Sequence, residues 1–172
     1  LIFSVLEPQM ANYRLSRKVK QRTGSKSTNT APRNAYQTKD GGWVGLSSST
    51  QAMYVKLVKS IGRPELADDP KFRTNTDRLR HLDEIDGIVR DAIAKLTMEE
   101  ALAQFDRDGV TIGPIMNTAQ LETDRYVAER EALIEVPDAE MPDGWLPMHG
   151  EVVRLSLTPG ILRNPAPGLG QD

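Results

Sequence analysis

The residues able to do chemistry are few in kind. The 172-residue sequence has no cysteine and two histidines, His81 and His149. That composition removes disulfides, zinc-thiolate and Fe–S sites and thiol catalysis together, and it argues against a histidine-rich metal site. Carboxylate, hydroxyl and cationic chemistry remain. Four small hydroxyl residues stand in a row, Ser47, Ser48, Ser49 and Thr50, between an expected strand and an expected helix N-terminus. Free backbone N–H groups and the helix dipole favour an anion or oxyanion at such a place. Small side chains also let a loop move or approach a ligand closely. The same run reads as a plain helix start, since Ser48 and Gln51 have the Ser-x-x-Gln form of a capping box. Other signals are weaker. Gly24-Ser25-Lys26-Ser27-Thr28 has serine where a phosphate loop needs glycine, and no strand precedes it. Asp68-Asp69, Asp83-Glu84-Asp86 and Asp106-Arg107-Asp108 lack the ligand spacing and central glycine of a calcium loop and read as solvated helix faces and caps.

Cations are concentrated at one end. Between Pro8 and Lys39 stand Arg14, Arg17, Lys18, Lys20, Arg22, Lys26, Arg33 and Lys39 without a single acid, whereas the 133 residues from Asp40 carry 23 acids and 14 bases. A basic arm on an acidic body suits nucleic acid, an anionic cofactor or an acidic partner surface. Nucleic acid is the poorer match, because Tyr13 is the arm's one aromatic before Tyr36 and stacking needs more.

The elements that must position these groups follow from periodicity. The chain opens inside an apolar helix, Ile2, Leu6 and Met10 recurring every fourth residue with Phe3 alongside and Pro8 interrupting. Asn34 to Lys39 and Trp43 to Leu46 flank Asp40-Gly41-Gly42 as a hairpin. A helix through Met53, Val55, Leu57, Val58 and Ile61 stops at Gly62. Leu82, Ile85, Ile88, Val89, Ala92, Ile93 and Leu96 describe a longer one, and Thr97-Met98-Glu99-Glu100 is a capping box for another reaching Phe105. Val110 to Ile115 reads as a short buried strand, and Asn117 as the cap of a helix holding Leu121 and Val127. Ala132 to Val136 and Glu151 to Leu157 read as strands about the turn at Pro142 to Gly144. With hydrophobic residues at 38% and charged residues at 27%, a buried core is feasible. No apolar run approaches the ~18–20 residues of a membrane span. The expected fold is α+β, a short and mainly antiparallel sheet packed on helices, preceded by a connecting helix and linker.

Four stretches in series resemble one family. Ala31-Pro32-Arg33-Asn34-Ala35-Tyr36-Gln37-Thr38-Lys39-Asp40-Gly41 to Trp43-Val44 is similar to the start of the small domain of family III CoA-transferases, the formyl-CoA transferase and carnitine CoA-transferase group. Ile61-Gly62-Arg63-Pro64-Glu65-Leu66 with Asp69-Pro70-Lys71-Phe72 and Asn75, then Gly109 to Ile115, then Pro165-Ala166-Pro167-Gly168-Leu169-Gly170, resemble its continuation. The resemblance implies a C-terminal portion: residues 1–32 a connecting helix and basic linker, 33–150 the small domain, 151–172 a return segment toward a large domain. It implies CoA transfer from an acyl-CoA to a carboxylic acid through an aspartyl-CoA thioester, with the nucleophile upstream of Leu1. None of Asp40, Asp68, Asp69 or Asp83 matches that nucleophile's motif, so no catalytic residue is expected in this chain and no turnover by it alone. By the same resemblance Ser47, Ser48, Ser49 and Thr50 correspond to a mobile loop over the active site. Arg17, Lys18, Lys20 and Arg22 are candidates for contact with CoA phosphates or a partner. The expected substrates are a CoA thioester and an acid, with no metal and no tightly bound cofactor. A homodimer or association with the large domain, and a cytoplasmic location, complete the expectation. A non-catalytic binding or structural module, whose basic arm contacts an acidic partner or nucleic acid, is the alternative.

Overall fold

Side chains alternate across a strand, and here the alternation decides which face of the first sheet is buried. The computed structural model describes residues 2–162, 167, 168 and 170, with the side chains of residues 2–7 outside the description. It divides into two compact units, residues 1–115 and 116–172. In the first, β1 (Arg33–Gln37) and β2 (Trp43–Ser47) form the expected antiparallel hairpin, with Asn34 opposite Leu46 and Tyr36 opposite Val44. Gly41 turns it with φ 82, a conformation that glycine adopts without steric cost. β3 (Ile112–Ile115) adds antiparallel to β2, giving the order β1-β2-β3. Tyr36, Val44 and Leu46 are buried on one face. Arg33, Ala35, Gln37, Trp43, Gly45 and Ser47 alternate onto the other.

The first unit's helices are α1 (Ile2–Ser16), α2 (Gln51–Ser60), α3 (Asn75–Arg80), α4 (Leu82–Ile93) and α5 (Met98–Arg107), with a 3-10 turn at Pro64–Ala67. α2, α4 and α5 pack their apolar residues against the buried face. α1 continues through Pro8 to Ser16. The expected apolar stripe on it lies partly outside the description at Ile2 and Leu6, while Met10 is exposed. α2, α4 and α5 present apolar residues at three- and four-residue spacing, the period of one helix face. Tyr36, Val44, Leu46, Leu57, Val89, Ile93, Ala101, Phe105 and Val110 form one buried cluster. Ala31, Tyr54, Val58, Leu66, Phe72 and Ile85 form a second. α5 starts at the expected capping box, Thr97 accepting from the Glu100 N–H and Glu100 from the Thr97 N–H.

The second unit holds α6 (Thr118–Glu122), α7 (Arg125–Glu129) and a hairpin of β4 (Leu133–Pro137) and β5 (Trp145–His149). This α+β arrangement of short antiparallel sheets and helices is the expected class, but four local readings need correction. The cap of α2 is Thr50, not Ser48: the Thr50 hydroxyl accepts from the Met53 N–H. The expected single helix after Asn117 is two, because Asp124 accepts from the Val127 N–H and starts α7 afresh, the competition with backbone bonding that Asp side chains offer. β3 is not a buried strand throughout, since Ile115 is 47% exposed. The return strand is Trp145–His149 rather than Glu151–Leu157. Pro147 masked it in the sequence, yet a two-stranded hairpin has an open side where a missing N–H is tolerated. Of the tail motif, Pro165, Ala166 and Leu169 lie outside the described residues.

Candidate functional site

The hydroxyl run leaves the sheet at Ser47 and enters α2 after Thr50. Its first two residues are held through their backbone. The Ser47 N–H donates to the Thr111 carbonyl at 3.1 Å and the Ser48 N–H to the Pro32 carbonyl at 3.1 Å. Ser48 is fully buried and its Oγ has no hydrogen-bond partner among the described residues. Ser49 and Thr50 are exposed. Thr50 occupies one first-turn donor, that of Met53, at 3.3 Å. The N–H groups of Gln51 and Ala52 belong to the set that a helix start leaves without intrahelical partners.

A buried cation supports this junction, and nothing in the sequence patterning singled it out. Arg78 is fully buried. Its Nε donates to the Ala31 carbonyl (2.7 Å), and its Nη1 donates to the Phe72 carbonyl (2.9 Å) and Gln51 Oε1 (2.8 Å). The guanidinium carbon lies 4.1 Å from the centre of the Tyr54 ring, within cation–π range. Arg78 forms no ion pair among the described residues, so carbonyl dipoles and a π face balance its charge. Burial lowers its pKa from the usual arginine range, though a guanidinium stays protonated in proteins. Burial likewise pushes the Tyr54 phenol up to about 12, and its hydroxyl donates to the Leu66 carbonyl. One side chain thus ties the end of the basic arm to the first residue of α2.

A second polar group docks β1 and the segment before it. Asp86 is 7% exposed, which corrects its reading as part of a solvated acid cluster. It accepts from the Tyr36 hydroxyl at 2.7 Å and the Asn34 amide at 2.9 Å. Burial, then the bond to Asp86, drives the Tyr36 phenol far above its ordinary value. Lys26 lies 2.7 Å from Asp83 and 3.7 Å from Asp86. Its bond to Asp83 raises the ammonium pKa and lowers that of Asp83. Asn75 grips the same segment, donating to the Asn29 carbonyl and accepting from the Ala31 N–H.

The predicted basic cluster is placed apart from the hydroxyl run. Arg17, Lys18, Lys20 and Arg22 are exposed and none has an acidic partner among the described residues. Lys18, Lys20 and Arg22 line a hollow of about 960 Å³ with Met10, Tyr13 and Val19. Ser47 instead borders a hollow of about 500 Å³ on the outer face of the sheet, with Arg33, Gly45 and Gly113. No described set of three or more His, Asp or Glu side chains is grouped to hold a metal ion, and no described helix is long and apolar enough to cross a membrane. Of the carboxylates weighed in the sequence, Asp40 accepts from the Thr38 hydroxyl and the Met98 N–H. Asp69 accepts from the Lys71 N–H. Each is engaged in holding a turn or helix start.

Relatives of known type share this chain throughout. The chain is 31% identical over 170 residues to succinyl-CoA–D-citramalate CoA-transferase of Chloroflexus aurantiacus, covering 99% of this chain and 42% of that protein. It is 34% identical over 171 residues to the succinyl-CoA–L-malate CoA-transferase beta subunit of the same organism, again 99% and 42%. The crystal structure of a CaiB/BaiF family protein from Brucella suis superposes with a TM-score of 0.79 at 26% identity, over 98% of this chain and 42% of that one. The chain therefore spans about two fifths of the length of these relatives. The model of the family described as CoA-transferase family III matches residues 1–172, and on that end-to-end match the chain belongs to CoA-transferase family III.

Proposed function

We propose that this chain is the C-terminal portion of an acyl-CoA:carboxylate CoA-transferase, bearing its small domain. The observation that carries the reading is the family match over residues 1–172. In this reading residues 1–32 are a connecting helix and basic linker, 33–150 the small domain, and 151–172 a return segment. The reaction exchanges partners: an acyl-CoA and a free carboxylate become the donor's carboxylate and a new acyl-CoA. An aspartate outside this chain attacks the donor thioester and expels CoA thiolate, forming a mixed anhydride. The thiolate attacks the aspartyl carbonyl and expels the donor's carboxylate, leaving an aspartyl-CoA thioester. The acceptor carboxylate then displaces CoA to form a second mixed anhydride, and CoA attacks the acceptor's acyl carbon, giving the new acyl-CoA and freeing the aspartate. Covalent catalysis of this type uses a carboxylate nucleophile without metal or thiol. The engagement of Asp40, Asp69 and Asp83 in turns, caps and ion pairs supports placing the nucleophile elsewhere.

Ser47, Ser48, Ser49 and Thr50 serve as the loop that keeps water from the activated intermediate. Arg17, Lys18, Lys20 and Arg22 meet CoA phosphates or a partner surface. The CoA thioester is substrate, and the reading calls for no bound cofactor. The protein acts in the cytoplasm and as a homodimer. Both curated relatives above name a succinyl-CoA donor and a dicarboxylic acid acceptor, so that pair is the first to assay. The test is transfer of CoA from succinyl-CoA to a panel of dicarboxylic acids by the natural-length protein, with hydroxylamine trapping of the covalent enzyme thioester. The expected result is acceptor-dependent formation of a new acyl-CoA and a trapped aspartyl adduct upstream of this chain. Absence of transfer to every acid, or an adduct on a residue within this chain, overturns the reading.

A further inference from the structure

The hydroxyl run belongs to a ring of bonds that Arg78 completes. The Ala31 carbonyl accepts from Arg78 Nε at 2.7 Å, and Arg78 Nη1 donates to Gln51 Oε1 at 2.8 Å. From Gln51 the chain runs back through Thr50 and Ser49 to Ser48, whose N–H donates to the Pro32 carbonyl at 3.1 Å. Pro32 follows Ala31, which closes the ring. Arg78 is a fixed post in it. It is fully buried, donates to the Phe72 carbonyl at 2.9 Å, and packs 4.1 Å from the centre of the Tyr54 ring. Tyr54 stands three positions after Gln51, and so on the same side of α2. Contact at both residues fixes the rotation of the first turn as well as its place. Asn75 steadies the other side of the ring, accepting from the Ala31 N–H at 3.1 Å. All of these contacts lie inside the first compact unit.

We propose that Arg78 is a positioning residue for the CoA transfer. Through Gln51 it sets the span that Ser49 and Thr50 bridge, and so how closely the run shuts over the aspartyl-CoA intermediate. It touches no reacting atom and acts by placing backbone. A guanidinium suits this task because its planar fork holds two partners in fixed relation, whereas an ammonium on a flexible stem does not. The inference rests on the reading of Ser47 to Thr50 as a shield. It adds to that reading the side chain that decides how the shield fits.

Gln51→Leu in the natural-length enzyme is the critical variant. It opens the ring at one bond but leaves Arg78 its bonds to Ala31 and Phe72, so the fold is retained where Arg78→Met would strain it. Gln51→Glu keeps an acceptor in the same place and is the rescue. Ile85→Val, in the same buried cluster as Tyr54, lowers stability without touching the ring. Two quantities are read. One is hydrogen exchange at the Ser48, Met53 and Tyr54 amides, which the ring and the cap protect. The other is CoA released to water divided by CoA passed to the acceptor. Gln51→Leu should raise both severalfold, while Gln51→Glu and Ile85→Val should leave both near native. Exchange needs no turnover, so unchanged exchange in Gln51→Leu overturns the proposal whatever the activity. Faster exchange with a native ratio, where Ser49→Gly raises that ratio, also overturns it and leaves the shield standing without Arg78. If Ser49→Gly leaves the ratio unchanged too, or no transfer occurs at all, the underlying reading falls and the proposal with it. A ratio raised equally by Ile85→Val would assign the effect to lost stability and overturn the proposal alone.

Discussion

At the residue scale, two neighbouring hydroxyls in the same run are expected to behave in opposite ways. Thr50 satisfies a first-turn N–H of α2, so Thr50→Ala should cost about 1 kcal/mol, the usual worth of such a cap. Ser48 is buried with its Oγ unpartnered. Because an unsatisfied buried polar atom is itself a cost, Ser48→Ala should leave stability unchanged or raise it by about 1 kcal/mol. Urea unfolding of both variants decides the matter, and equal losses would mean that the Ser48 hydroxyl is bonded after all. Arg78 is the more demanding case. Arg78→Met strands the carbonyls of Ala31 and Phe72 and frees Gln51. A loss of about 3 kcal/mol or more is expected, since each buried acceptor left unpaired costs about 1–3 kcal/mol. Arg78→Lys keeps the charge but presents a point donor instead of a planar fork, so its loss should be smaller yet clear. A denaturation midpoint unmoved by Arg78→Met would show that the arm and α2 are held by their apolar contacts alone.

At the scale of elements, Asp40 joins a strand turn to a helix start. Its carboxylate accepts from the Thr38 hydroxyl and from the Met98 N–H at the first turn of α5. The Thr38 bond, with the Met98 bond helping, holds the Asp40 pKa below the usual carboxylate value. A depressed folded pKa stabilises above the unfolded value, about 4. That contribution is lost as pH falls through the lower folded value. Asp40→Asn should therefore melt below the native chain at pH 7, and the gap should close progressively as pH falls below about 4 and on through the lower folded value. A gap that persists unchanged in acid would assign it to shape rather than charge. The same region shows what a sequence displays and what it hides. The Thr97 capping box, the α4 stripe and the hairpin about Gly41 were legible because each depends on residues within a few positions of one another. The α6–α7 break was missed because Asp124 won a local competition for the Val127 N–H. β5 was missed because Pro147 disguises an edge strand. Arg78 and Asp86 were hidden for a different reason: apart from Phe72, their hydrogen-bond partners lie 27 to 52 positions away. A charged residue that distant groups will bury reads, in isolation, as one that water will solvate.

At the scale of the whole molecule, the run Ser47 to Thr50 has two candidate roles that separate experimentally. A helix start acts on stability alone. A loop that shields an aspartyl-CoA intermediate acts on how that intermediate divides between water and the acceptor acid. Ser47 and Ser48 are tethered through their N–H groups to Thr111 and Pro32, and Thr50 caps α2, so the motion open to the run is concentrated at Ser49. Ser49 is exposed and forms no hydrogen bond among the described residues, which makes it the position where added backbone freedom tells most. Ser49→Gly, alone and with Ser47→Gly, loosens the run without removing the Thr50 cap. Glycine in an ordinary conformation costs about 0.5–1 kcal/mol through the unfolded state, so a small fall in melting temperature is expected in either role. The discriminating quantity is CoA released to water divided by CoA passed to the acceptor, measured on the natural-length enzyme. If the run is a shield, that ratio should rise severalfold, and more in the double variant than in Ser49→Gly, because a looser cover admits water to the thioester. Thr50→Ala is the control, since it lowers stability by removing the cap but adds no comparable freedom at Ser49. A ratio that stays constant across all three variants while melting temperature alone moves would leave Ser47 to Thr50 as a helix start, and the shielding of the intermediate would then belong to another segment.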